Sequence, residues 1–194
     1  LQQPHVPRTP HPRFEGLSGM GPRGDVILEA DWCIGQIYKT LEKLDLLKNT
    51  LIILSSDNGP VLNDGYYDNA VELLGDHDPF GGLRGGKYSL FEAGTKVPFI
   101  AYWKNTIQSG ISNEIISQID LLSSISSIVG DKFRSRDGKD LSNLILNNQG
   151  KGRKELIIEA TTRTAFRSGD WVMIPPYNGV PVNKNVNIEL GNSN

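Results

Sequence analysis

Asp57 and Asn58 stand side by side in the segment Asp57-Asn58-Gly59-Pro60, directly after the apolar run Leu51-Ile52-Ile53-Leu54. A carboxylate beside an amide oxygen gives two hard oxygen donors, the ligand type suited to Ca2+ or Mg2+. Ca2+ takes about 6–8 oxygens, so the rest of a shell must come from elsewhere in the fold, from substrate or from water. Asp, Asn and Gly are also ordinary turn residues, and the tetrapeptide reads equally as a local turn. Further along, Leu83-Arg84-Gly85-Gly86-Lys87 sets two glycines, which let backbone approach a ligand closely, before a lysine. That lysine can place a compact positive charge against a sulfate or phosphate oxygen. The spacing of a nucleotide-binding G-x-x-x-x-G-K-[ST] loop is absent, and a solvated turn with two cations is the plain alternative. His5, His11 and His77 each lie in loop sequence near prolines or aspartates and form no helical metal pair. Cys33 flanks an apolar stripe and reads as a packed small side chain rather than a nucleophile.

The elements around these residues have an α/β pattern. Residues 1–24 hold five of the eleven prolines and read as an extended loop. A helix is expected from Asp25, whose charge suits a helix N-terminus, to about Leu46. Its apolar stripe is Ile27, Ala30, Ile34, Ile37, Leu41 and Leu44. Thr50–Leu54 is continuous rather than alternating, the pattern of a strand buried on both faces inside a parallel sheet. The Asp57 motif then falls at the carboxyl end of that strand, where open α/β sheets bind ligands. Residues 60–87 make a long Gly- and Asp-rich loop, and a loop of that length is more often functional than idle. Its Tyr66, Tyr67, Asp76 and His77 are the candidate specificity residues by position. Val97–Trp103 reads as a second strand and Ile119–Val129 as a helix stopped by Gly130. A linker is expected near 147–153. Glu155–Glu159 reads as a strand, and Arg163–Arg167 with Trp171–Ile174 as a hairpin turning at Ser168-Gly169-Asp170.

Composition narrows the function. The chain has 194 residues and a formal net charge of −2, without the basic surplus of a general nucleic-acid binder. No apolar run approaches the roughly 18–20 residues of a membrane span. The single cysteine excludes an internal disulfide framework and a Cys-rich zinc site. The abrupt start at Leu1 and the polar, Asn-rich stretch Asn183–Asn194 both read as breaks in a longer protein.

Four segments in order carry a resemblance: Pro4-His5-Val6-Pro7; Gly24-Asp25 opening a helix; Leu51 to Pro60; and Leu83 to Gly94 followed by Val97-Pro98-Phe99-Ile100. Their order and spacing resemble the arylsulfatases of the alkaline-phosphatase-like superfamily. Arg163 to Trp171 also looks like the sheet of the sulfatase C-terminal subdomain. The resemblance implies a partial alkaline-phosphatase-like sandwich, a mostly parallel sheet with flanking helices, over 1–147. Residues 154–194 would begin a small antiparallel subdomain. It implies that Asp57 and Asn58 are metal ligands, with Ca2+ expected and Mg2+ the alternative. Lys87 would contact the sulfate and the leaving-group oxygen, and His5 the sulfate; His77 is a substrate-binding candidate by its position in the long loop alone. The partner would be a small-molecule or glycan sulfate ester, and the compartment periplasmic or extracellular.

The family's nucleophile is a formylglycine made in a Cys/Ser-x-Pro-x-Arg segment. No such segment occurs here: Cys33 is followed by Ile-Gly-Gln and Ser168 by Gly-Asp-Trp. The family's first Asp-Asp pair is also without counterpart. The chain is therefore expected to carry part of an active site, to be inactive alone and, if it folds alone, either to associate through exposed sheet edges or to rearrange. Two other readings stay open: a phosphodiester or phosphonate monoester hydrolase of the same superfamily, and a non-catalytic remnant that binds anionic glycans.

Overall fold

The computed structural model describes residues 1–160 and 162–176. The Asn-rich stretch Asn183–Asn194 lies outside the described residues.

The first helix, α1, spans Gly21–Lys43 and so begins ahead of Asp25. Pro22 sits in its first turn, where a residue with preset φ and no N–H costs nothing. Asp25 is buried and has a different task from the one its position suggests. Its carboxylate accepts hydrogen bonds from Gly16 N at 2.8 Å, Ser18 N at 2.9 Å and Ser18 Oγ at 2.6 Å. It therefore ties the preceding loop onto the helix. Burial pushes this carboxyl up, but the hydrogen bonds from Ser18 and Gly16 outweigh it and hold the group below its usual range.

The expected stripe is not a buried one. Ala30, Ile34 and Leu41 are half-buried, and Ile27, Ile37 and Leu44 are exposed. Among the described residues no sheet covers this face. After α1 the buried Leu47 anchors a short 3-10 turn, Leu47–Asn49, and the chain enters β1, Ile52–Ser55.

β1 pairs with β2, Phe99–Tyr102, in antiparallel register from Ile52 opposite Tyr102 to Ser55 opposite Phe99. The expected parallel pairing does not hold between these two strands. The intervening residues 56–98 reverse the chain direction, whereas parallel neighbours need a crossover that restores it. β1 is half-buried along its length, and neither strand has a second neighbour among the described residues. Tyr38 of α1 meets Tyr102 of β2, with hydroxyls 3.3 Å apart and tilted rings. Trp103 Nε1 donates to the Lys48 carbonyl at 2.8 Å. These contacts set the ribbon against the end of α1.

The core sits beneath the long loop. Leu62, Phe80 and Ala93 form a buried cluster, with Leu74 and Leu83 packed on it. A loop with its own apolar core holds its shape far better than a solvated connection. A short helix, α2 (Glu92–Thr95), closes it.

Beyond β2 come α3 (Leu121–Ile128), stopped at Gly130 with φ of 80°, and α4 (Ser142–Asn147). The last described part is a three-stranded antiparallel sheet of β3 (Glu155–Ala160), β4 (Arg163–Ser168) and β5 (Trp171–Met173). The hairpin turns at the expected residues, with Ser168 opposite Trp171 and Gly169 at φ 57°.

Candidate functional site

The Asp57-Asn58 turn is built by short-range hydrogen bonds and braced from outside. Asn58 N donates to Asp57 Oδ1 at 3.0 Å, Asn58 Nδ2 to the Gly59 carbonyl at 2.9 Å and Ser56 Oγ to the Asn58 carbonyl at 3.0 Å. Gln118 reaches in from the segment before α3 and donates to the Ser56 carbonyl at 2.6 Å and to Ser55 Oγ at 3.2 Å. Ser55 Oγ in turn donates to the Pro98 carbonyl at 3.0 Å. Asp57 is exposed and Asn58 half-buried, so both side chains can be reached by a ligand. One N–H leaves a carboxylate with accepting capacity to spare, and the Asn58 amide oxygen is not used by the Nδ2 bond.

The second motif lies directly against the first. Lys87 N donates to the Pro60 carbonyl at 2.8 Å, and Gly59 N to the Gly94 carbonyl at 2.9 Å. Ala93 N donates to the Arg84 carbonyl at 2.9 Å, which folds residues 84–94 back on themselves. The approach is so close that only glycine fits. A Cβ on Gly59 would lie 1.7 Å from the Ala93 carbonyl oxygen, and one on Gly94 2.5 Å from the Gly86 carbonyl oxygen. Lys87 is half-buried, with Nζ 5.4 Å from the centre of the Tyr88 ring. Tyr88 takes a left-handed φ of 73°, a conformation bulky residues rarely adopt outside functional or over-determined positions.

His5 is exposed, and its Nδ1 lies 2.8 Å from the Val6 carbonyl oxygen. A carbonyl can only accept, so Nδ1 carries the hydrogen and Nε2 is the ring atom left for a ligand. The His5 segment is joined to the long loop through Arg8, which contacts Asp64 and Asp68. His77 lies exposed on the same loop, and nothing among the described residues ties its ring to the 57–60 or 84–94 segments. Its neighbour Asp78 folds the turn that follows it. The N–H groups of Gly82 and Phe80 bind this carboxyl and hold it below its usual range. The structure thus brings the Asp57, Asn58 and Lys87 segments together and connects the His5 segment to the loop between them.

Several contributors carry no local signal in the sequence. Gln118 braces β1 from more than sixty positions away in sequence. Arg167 of β4 pairs with Glu92 of α2, docking the C-terminal sheet beside the Lys87 loop. Arg8, Asp64 and Asp68 read as ordinary loop charges until the fold pairs them.

A hard divalent cation suits the Asp57 and Asn58 oxygens in kind. Two donors do not close a shell, and among the described residues no group of three His, Cys, Asp or Glu side chains could hold a metal ion.

Residues 1–130 match the family model described as Sulfatase. The chain is 42% identical over 195 residues to the N-acetylgalactosamine-6-O-sulfatase of Bacteroides thetaiotaomicron, covering 98% of this chain and 38% of that protein. It is 33% identical over 154 residues to arylsulfatase A of Bos taurus, covering 78% of this chain and 29% of that protein. A solved structure from work on metabolism of multiple glycosaminoglycans by Bacteroides thetaiotaomicron superposes with a TM-score of 0.90 at 40% identity, over 95% of this chain and 39% of that one. The chain spans well under half the length of these relatives. With the family model matching two thirds of its residues, and its loops locked in the arrangement described above, this chain belongs to the sulfatase family.

Proposed function

We propose that this chain supplies part of the active site of an enzyme that hydrolyses a sulfate ester, with a 6-O-sulfated amino sugar as the substrate class. The observation that carries this reading is the backbone lock between Gly59-Pro60 and Lys87–Gly94, which sets the Asp57-Asn58 oxygens and the lysine on adjoining segments. The sulfated amino sugar follows from the name of the relative at 42% identity.

The chemistry fits those residues. Cleaving a sulfate ester builds negative charge on the leaving oxygen while the sulfuryl oxygens keep theirs. Lys87 neutralises that charge and can give a proton to the leaving oxygen. His5, with Nδ1 committed to Val6, offers Nε2 to a sulfate oxygen. Asp57 and Asn58 hold a divalent cation, Ca2+ by preference, together with ligands from outside the described residues. When bound, that cation polarises the sulfate and screens its charge. The nucleophile this reading requires is a formylglycine from a Cys/Ser-x-Pro-x-Arg segment, a sequence this chain does not contain. His77 and Tyr67, both exposed on the 61–82 loop, are the residues we assign to contact with the sugar. Residues 1–147 form the catalytic portion, and β3 to β5 begin the appended antiparallel unit.

The test uses the full-length protein that carries this chain, with Ca2+, on 6-O-sulfated N-acetylgalactosamine and on the matching phosphate ester. Turnover of the sulfate ester is expected, with kcat lowered about 100-fold or more in Lys87→Ala. Faster turnover of the phosphate ester would move the assignment to phosphoryl chemistry. An unchanged rate in Lys87→Ala would remove the lysine from the mechanism.

A further inference from the structure

We infer that Arg8 is a positioning residue for His5, holding that imidazole in place through a three-way guanidinium clamp on the Pro4 carbonyl, Asp64 and Asp68. The inference rests on the proposed contact between His5 and sulfate.

Arg8 is only 3% exposed, although it lies in a loop of otherwise accessible residues. All three nitrogens of its guanidinium are used. Nε donates to the Pro4 carbonyl at 3.0 Å, Nη1 to Asp68 Oδ2 at 2.7 Å, and Nη2 to Asp64 Oδ2. The acceptors are themselves fixed. Asp64 Oδ1 accepts from Tyr66 N at 3.1 Å, and Asp68 Oδ1 from Ala70 N at 3.2 Å. The clamp therefore fastens the His5 segment to a turn that already has its own shape.

The link to His5 is direct. The Pro4 carbonyl belongs to the planar peptide unit that ends at His5 Cα, so holding that oxygen fixes the plane from which the His5 side chain rises. The Nδ1 contact with Val6 then fixes the ring and leaves Nε2 as its free atom. An exposed histidine on a short proline-flanked loop has little packing to orient it, and the clamp supplies what packing does not.

Burying one guanidinium with two carboxylates is seldom the cheapest way to gain stability, because desolvation offsets the attraction. Geometry is what such a network provides. A second guanidinium, Arg23, balances the charge without sharing the clamp. It is 4% exposed, and its Nε and Nη1 make no hydrogen bond. Burial, then the field of Arg8, push its pKa below the usual arginine value. Lysine at position 8 would keep the charge but could not meet three acceptors in one plane.

Two measurements test this. In the 194-residue chain, histidine ring NMR of Arg8→Lys is expected to shift the His5 signals and leave those of His11 and His77 in place. Asp64→Asn, which loosens one arm of the clamp at a less buried carboxylate, should give a smaller shift in the same signals. Unmoved His5 signals in both variants, or equal movement of all three histidines, would overturn the clamp. In the full-length protein, Arg8→Lys is expected to lower kcat/KM about tenfold or more, but less than about twofold in a His5→Ala background, because residues acting as a unit are not additive. Losses that multiply would mean that Arg8 acts on general stability and not through His5. If His5→Ala itself leaves kcat/KM unchanged, the proposed sulfate contact fails, and the NMR arm alone decides the clamp.

Discussion

Gly59 shows most sharply how one residue controls this site. The backbone of the 57–60 turn and that of residues 93–94 approach so closely that a single methyl group cannot fit, with the Ala93 carbonyl oxygen 1.7 Å from where a Cβ would stand. Relief requires one backbone segment to move, and both carry proposed ligands. Gly59→Ala is therefore expected to destabilise the chain by about 1–3 kcal/mol, the cost of overpacking a closely fitted region. Urea unfolding would measure this, and an unchanged midpoint would show that the lock is not tight. Tyr88 is a related case. Its left-handed backbone follows Lys87 directly, and its ring lies beside the ammonium, so strain and function coincide at one residue.

At the scale of elements, the joints between segments are made of buried charge. Asp120, 1% exposed, accepts from Lys139 N at 2.7 Å and Ser117 N at 2.9 Å, and pairs with Arg153 just before β3. Burial raises its pKa, but the bonds from Arg153, Lys139 and Ser117 prevail and hold the carboxyl below its usual range. The hydrogen bonds that Arg153 donates to Asp120 are likewise the main reason that the Arg153 pKa is raised. Removing one partner of such a pair costs about 3–5 kcal/mol. Asp120→Asn should therefore weaken the chain by an amount of that order in urea or thermal unfolding. The pH dependence has a definite sign. Asp25 and Asp120 both titrate below the ordinary aspartate value of 3.8 in the folded chain, so their contribution is full above that pH and is lost as pH falls through the depressed values. Stability measured from pH 5 downward should fall steeply below about pH 4, and less steeply in Asp120→Asn. Equal pH slopes in the two proteins would contradict the assignment.

At the scale of the molecule, the chain holds the family's fold in part, and its surface reflects this. Leu28 and Trp32, four residues apart and so on one side of α1, are 40% and 38% exposed. The β1–β2 ribbon has no further neighbour among the described residues. Strand edges left unpaired in this way can take up a strand of another chain. We expect the 194-residue chain on its own to pair with a second copy through these edges. Light scattering should give an apparent mass above the 21.4 kDa of one chain. A clean monomer at that mass would sink the expectation. Among the described residues no helix is long and apolar enough to cross a membrane.

The sequence by itself determined the local pieces: α1, β1, β2, the β4–β5 hairpin with its Ser168-Gly169-Asp170 turn, and the two motifs that carry the proposed chemistry. Periodicity and turn preferences act within a few residues, so they are legible in one dimension. Tertiary structure alone decided the antiparallel direction of β1 and β2, the reassignment of Asp25 from helix start to loop anchor, and the exposure of the α1 stripe. It also decided which charges meet. Arg8 with Asp64 and Asp68, Gln118 with Ser56, and Arg167 with Glu92 each join residues more than fifty positions apart. No local pattern encodes such pairs, because each member alone is an ordinary polar residue. Only the folded chain gives it a partner, and with that partner the geometry that holds the site.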